Sequence, residues 1–186
     1  MFIQPALKLL TEFDLVVAAD EVDIDSLIPY FSLPFQKTTT RIVMIKITEK
    51  PIDVQKVIET ASSLGAGAVN VFIGSVRNTA HNKNVIWLQY EAYESMAVSE
   101  TRKIIDAAAA KWNLLGWAVS HRVGTLKPGE IAVAVAVSTR HRKESFEACQ
   151  FIIDKLKETV PIFKKEVFED GEEWVEAAPK GQPHTH

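Results

Sequence analysis

Pro161 limits what this chain can build more than any other residue. Its ring fixes φ and removes a backbone N–H, so a helix that runs into it has to stop. The stretch before it, 143–159, has helical spacing, with Phe146, Cys149, Ile153, Leu156 and Val160 recurring at intervals of three and four. The stretch after it, 162–168, is rich in β-formers and reads as a strand. Helix therefore gives way to strand within about two residues, and the strand can fold back beside the helix end. Lys157, at the border of the helix's apolar stripe, then comes near Lys164 and Glu166. Those two share one strand face, while Lys165 points the other way. Net charge over all 186 residues is -3, so this group of cations is local.

The rest of the chain falls into short alternating elements. Strands are expected at 42–47, 69–76, 85–93, 118–123, 131–137 and 162–168, and helices at 53–62, 96–112 and 143–159. The segments 69–76 and 85–93 read as a hairpin with a long polar tip. A turn follows at Asp170-Gly171. The expected class is α+β, with a mostly antiparallel sheet and packed helices. Residues 1–40 show no sustained period and read as an N-terminal extension, docked or mobile, and Met44 is a possible alternative start. The main domain is expected over 41–178, with a tail at 179–186.

Composition removes several classes. A hydrophobic content of 47% suffices for a sizeable core. The slightly acidic balance argues against a general nucleic-acid binder. No apolar run reaches the ~20 residues of a membrane span, and no basic region precedes the apolar residues near the N-terminus. A cytoplasmic protein is expected. The single Cys149 excludes a disulfide framework, and its place on an apolar helix face suggests inert core. His81, His121, His141, His184 and His186 have no metal-ligand spacing, so no metal is expected. No glycine-rich phosphate loop is present.

Three basic points remain. A lysine with a buried stem and a wet tip is ordinary in proteins. Lys157 gains interest because Lys164 is expected beside it, and a partly desolvated amine can act as nucleophile or proton shuttle. His141 and Arg142 open the helix that Lys157 ends. Free N–H groups there favour an anion, and the forked guanidinium suits phosphate or carboxylate. The helix nevertheless separates Arg142 from Lys157 by about 22 Å. The two groups therefore mark two sites, or one site completed by a second copy of the chain. Arg77 ends an apolar strand behind Gly74, a weak signal alone. His121-Arg122 lies within a strand and reads as structural.

Taken together, Phe72-Ile-Gly-Ser-Val-Arg77, Tyr90-Glu-Ala-Tyr-Glu-Ser-Met-Ala97, His121-Arg-Val-Gly124, His141-Arg142 and 153–166, with Asp170-Gly171 and Trp174, resemble the large, catalytic subunit of molybdopterin synthase. The resemblance runs in order over roughly 44–176. It implies an α/β-hammerhead-like fold and a sulfurtransferase that converts cyclic pyranopterin monophosphate to molybdopterin. The sulfur would arrive as a thiocarboxylate on the C-terminal glycine of a small ubiquitin-like partner. The implied assembly is a dimer of large subunits with a small subunit at each end, a heterotetramer, and no cofactor is implied. By position, Lys157 and Lys164 would be catalytic. Ser75, Val76, Arg77, His141, Arg142, Lys165 and Glu166 would bind the substrate, and Phe72 would border the channel for the partner's tail. Phe163 stands where many relatives carry tryptophan. Ala178 stands where some carry arginine, and Lys180 is a candidate substitute. A rival from another class is a non-catalytic adaptor that grips a ubiquitin-like C-terminus. A weaker one is a nucleotide-binding regulator built on the His141 helix start.

Overall fold

The computed structural model describes residues 15–17 and 42–175. Most of the N-terminal extension, the C-terminal tail, Ala178 and Lys180 lie outside the described residues. The elements in chain order are β1 (Leu15–Val17), β2 (Ile42–Thr48), α1 (Val54–Ala61), β3 (Ala68–Ser75), β4 (Thr79–Ala80), β5 (Lys83–Ala92), α2 (Glu94–Lys111), β6 (Gly116–Arg122), β7 (Gly124–Leu126), β8 (Ile131–Thr139), α3 (Arg142–Thr159), β9 (Ile162–Phe168) and β10 (Gly171–Val175).

The strands form two sheets. The first runs β1-β2-β6-β8-β3, parallel across β1, β2 and β6 and antiparallel from β6 to β3. The second runs β10-β9-β5-β4, with β7 also on β5, and is antiparallel throughout. The α+β class with mostly antiparallel pairing is therefore what the chain builds. The hairpin expected between 69–76 and 85–93 is not formed. β3 pairs with β8, and β5 pairs with β9. The reason lies in β8, whose Ala/Val run is buried from Ala132 to Thr139 and needs a strand on each side. The hairpin that does form is small, β4 with the start of β5. It turns through His81 at φ 51 and Asn82 at φ 61, the left-handed pair that a two-residue turn of this hand requires.

Alternation along β6 and β8 decides what covers each face. Ala118, Ala134 and Ala136 point to one side, where α1 packs with Val57 and Ala61. Trp117, Val119, Val133, Val135 and Val137 point to the other, under α2 and α3. Asp53 starts α1 by accepting from the Lys56 N–H at 3.0 Å. On α3 the buried positions are Ser145, Ala148, Cys149, Ile152, Ile153 and Leu156. Phe146 was expected on that stripe but is 62% exposed. It stands one residue, about 100° of helix, past Ser145, which is enough to turn it outward. Trp112, just past α2, donates its indole N–H to Glu147 Oε2 on α3 at 3.1 Å and ties the two helices together.

The alanine face lets α1 approach the sheet closely. A Cβ placed on Gly116 would lie 2.3 Å from the Ala61 carbonyl oxygen, a backbone atom that cannot swing away. Gly116→Ala should therefore destabilise the fold by about 1–3 kcal/mol, the usual range for overpacking. Thermal unfolding followed by circular dichroism should show a Tm lower by several degrees. An unchanged Tm would mean that α1 can shift away freely.

Candidate functional site

The helix-covered face of the first sheet extends past its helices. On β6, Trp117 and Val119 lie under α2 and α3, and His121 continues the same face two residues further. Phe72 and Gly74 do the same on β3, and Val133 on β8. The second sheet stands against this uncovered end, and between them is a cleft of about 800 Å³. Its wall includes Lys157 in the last turn of α3 and Lys164 and Glu166 on β9. Gly74 keeps the wall open, because a Cβ there would meet Val133 Cγ1 at 2.7 Å.

Lys157 is exposed, with its ammonium 5.7 Å from the centroid of the Phe72 ring. That contact is of cation–π type and draws the amine along the aromatic wall. Lys164 is half-buried and donates to Glu166 Oε1 at 2.8 Å. Glu166 is only 4% exposed, and its Oε2 accepts no hydrogen bond. His81 on the β4–β5 turn places its Nε2 3.8 Å from that oxygen. Tyr90 stands opposite Lys164 across the β5–β9 ladder and so shares its face. Its phenol is pushed up to about 12, first by burial and then by the charge on Glu166. His121 meets the Tyr90 ring edge-on, centroids 5.3 Å apart.

The expected site residues separate into groups. Phe72, Ser75, Arg77, Lys157, Lys164 and Glu166 line the cleft together. Val76 does not. Between Ser75 and Arg77 it turns inward to Val85, Leu88 and Phe168, while its N–H bonds Glu130 O at 2.9 Å. Lys165 does not either. Strand alternation sends it to the opposite face, where it pairs with Glu172 at 3.1 Å and lies over the Trp174 ring. His141 and Arg142 are exposed at the start of α3, the far end of the helix from Lys157. No side chain caps that helix start, so its first N–H groups face outward without a side-chain acceptor.

Arg122 is structural as expected, bonded to Glu130 Oε1 at 2.6 Å and to the Glu49 carbonyl at 3.1 Å. His121 also lines the cleft. Tyr90, Asp154 and Glu158 are further lining residues outside the expected set. The signal for Tyr90 was its place in register with Lys164, which requires the strand pairing to be known. Cys149 is buried, and burial raises its thiol to about 11 against a smaller opposing effect of a hydrogen bond with the Phe72 backbone. It is a poor thiolate. Among the described residues no three His, Cys, Asp or Glu side chains gather as a metal site. No described helix is long and apolar enough to cross a membrane.

Burial lowers His121 from 6.5 to about 4, although its hydrogen bond to the Arg122 carbonyl opposes the shift. The unfolded chain takes up a proton near 6.5, and the folded one only near 4. Between these values the unfolded state holds more protons, so stability is full above the upper value and falls as pH drops to the lower. Urea midpoints measured from pH 7 down to pH 4 should therefore fall more steeply for the native chain than for His121→Gln. Parallel curves would show that His121 does not carry this linkage.

The family model described as MoaE protein matches residues 47–159. A molybdopterin synthase catalytic subunit from Bacillus subtilis (strain 168) is 42% identical over 144 residues, covering 74% of this chain and 92% of the relative. The solved molybdopterin synthase from Staphylococcus aureus superposes with a TM-score of 0.67 at 39% identity, over 69% of this chain and 94% of that one. A complex of subunits 1 and 2 of molybdopterin-converting factor from Helicobacter pylori 26695 shares the fold, with a TM-score of 0.59 at 21% identity over 70% of this chain and 89% of that one. The helix that carries Lys157 falls within the matched segment, and the chain belongs to the MoaE family, whose curated members include molybdopterin synthase catalytic subunits.

Proposed function

We propose that this chain is the catalytic subunit of a molybdopterin synthase, a sulfurtransferase that converts cyclic pyranopterin monophosphate to molybdopterin. The observation that carries the reading is the convergence of Lys157 and Lys164 on one cleft, with the buried Glu166 bonded to Lys164. Arg77 at the rim supplies a forked cation for the substrate's phosphate. The only cysteine is buried and hard to ionise, so sulfur comes from outside the chain. A small ubiquitin-like carrier with a C-terminal Gly-Gly thiocarboxylate supplies it, and Phe72 borders the entry of that tail. In each transfer the thiocarboxylate sulfur forms a C–S bond to the pterin as a pterin oxygen leaves, and water then cleaves the carrier's acyl C–S bond, so that the sulfur stays on the pterin and the carrier ends as a carboxylate. A dithiolene therefore takes two carriers. Lys157 and Lys164 hold the reacting anions and move the protons these steps require. The reaction belongs in the cytoplasm, with no nucleic acid or membrane involved. The extension at 1–40, apart from the β1 strand that it adds to the edge of the first sheet, and the tail at 179–186 stand outside the catalytic domain.

Lys157→Ala and Lys164→Ala should each remove most turnover by the purified subunit pair; Lys157→Ala should keep its Tm, while Lys164→Ala should lower it by leaving the buried Glu166 without its partner. Lys157→Arg should fail as well, because a guanidinium stays charged and cannot act as a neutral amine. Full activity of Lys157→Arg would overturn the role of amine chemistry. A native pair that binds but never turns over would favour the adaptor instead.

His141 and Arg142 join the same reaction through a second copy of the chain, giving a two-fold dimer and, with two carriers, a heterotetramer. Phe146, exposed one turn past Arg142, gives that helix end an apolar surface for the contact. Mixing Arg142→Ala with Lys157→Ala chains under subunit exchange should restore about a quarter of native activity. About half of the dimers are then mixed, and each has one intact site of two. Activity that stays at the level of the separate variants despite exchange would place the two basic groups in separate sites.

A further inference from the structure

The polar groups of the cleft are sorted by depth. Arg77 and Lys157 are exposed at its rim. Tyr90 and His121 are half-buried, and Glu166 is buried. The rim thus offers hydrogen-bond donors on charged groups. The interior offers an unpartnered carboxylate oxygen, Glu166 Oε2, and an imidazole.

The tautomer of that imidazole is fixed by its neighbour. His121 Nδ1 lies 2.8 Å from the Arg122 carbonyl oxygen. A carbonyl only accepts, so Nδ1 carries the hydrogen and Nε2 carries a lone pair. Arg122 is itself held by Glu130 and by the Glu49 carbonyl, so the carbonyl that orients the ring belongs to a tethered strand end. The Tyr90 ring packs edge-on against the imidazole and limits its rotation. The ring stays neutral at ordinary pH because burial disfavours its charged form. The result is a rigid, uncharged acceptor beside the cleft's interior.

This acceptor suits a particular part of the substrate. A phosphate dianion has no N–H or O–H to donate, and it belongs with the rim cations. A pterin heterocycle carries N–H donors on its pyrimidine and pyrazine edges. We propose that His121 is a substrate-binding and specificity-determining residue, whose Nε2 accepts a hydrogen bond from an N–H of the pterin ring while the rim cations hold the phosphate. The inference rests on the proposed molybdopterin synthase reading and extends it to a residue that sequence alone had marked as structural.

The test uses the full chain with its small thiocarboxylate partner for turnover, and the full chain alone for binding. Imidazole nitrogens are observed by ¹⁵N NMR on selectively labelled histidine, with cyclic pyranopterin monophosphate or inorganic phosphate as the probe. In the free protein His121 should show a protonated Nδ1 and a bare Nε2. The pterin should shift the Nε2 resonance to lower frequency, toward that of a hydrogen-bonded nitrogen, and inorganic phosphate should leave it in place. In turnover, His121→Phe should raise KM for the pterin about tenfold, the usual effect of leaving a ligand donor unpaired. The change in kcat should be smaller. His121→Gln places an amide oxygen near the Nε2 position and should recover most of the loss. If His121→Phe does not fold, the NMR measurement on the native chain decides alone. An Nε2 resonance unmoved by saturating pterin, or an unchanged KM in a folded His121→Phe, would overturn the assignment. If the native pair neither binds the pterin nor makes dithiolene, the proposed function is what fails, and this inference falls with it.

Discussion

Two residues, Val160 and Pro161, join the last turn of α3 to the start of β9, and through them the first sheet's helix layer to the second sheet. The Val160 N–H still bonds back to Leu156 O at 3.2 Å, so helical bonding persists up to the proline. The Ile162 N–H then bonds to Val160 O at 2.7 Å, which closes the turn tightly. Val160 is buried in the main core, so this joint is packed as well as short. α3 is fixed by its buried stripe against β3 and β8, and β9 by its ladder with β5. A longer, looser connection would let the two sheets slide and would separate Lys157 from Lys164. The cleft is the gap that remains where the helix layer ends before the sheet does.

The chemistry of that gap is set by the cost of burying charge. Glu166 is almost fully removed from water, and a lone carboxylate there would be strongly disfavoured. Lys164 is the direct partner that offsets this cost, through one oxygen only. Burying an ion pair seldom improves stability over a well-packed apolar pair. Its retention therefore fits a need for the charge itself. Glu166 restrains the Lys164 side chain and, through its unbonded oxygen, leaves one strong acceptor facing the interior. Burial first, and then the charge on Glu166, push the neighbouring Tyr90 phenol up to about 12. Tyr90 therefore stays a neutral hydrogen-bonding group over any ordinary pH.

Much of the fold was legible because it depends on local rules. Pro161 ends α3, the helix expected over 53–62 forms as α1, and the β-rich runs become strands within a residue or two of their expected bounds. Strand partnership was not local. Whether β3 meets β5 or β8 depends on which surfaces are buried together, and no single segment carries that information. The same limit divided the site residues. Lys157, Lys164 and Glu166 followed from one helix-to-strand joint and from the two-residue period of β9. Lys165 follows the same period to the opposite face, so its inclusion with them came from resemblance and not from the strand. Val76 lies between Ser75 and Arg77, which do reach the cleft, but its own side chain turns into the core. His121 was passed over because its neighbour Arg122 is structural, and because a cleft made by two sheets has no signature in either one.

The length of α3 bears on how such a site can be completed. The helix has 18 residues and is packed along its length, so its two ends cannot approach one another. His141 and Arg142 at one end and Lys157 at the other are rigidly held apart by about 22 Å. Side-chain reach along the helix does not close that distance. A chain that uses both ends on one small substrate therefore has to borrow one of them from another molecule. A two-fold axis does this with the fewest parts, since one contact brings each chain's helix start to the other's helix end and repairs both sites at once. In such an arrangement the rigidity of the helix would also fix the distance between groups across the axis, so the borrowed residues would arrive in a defined place.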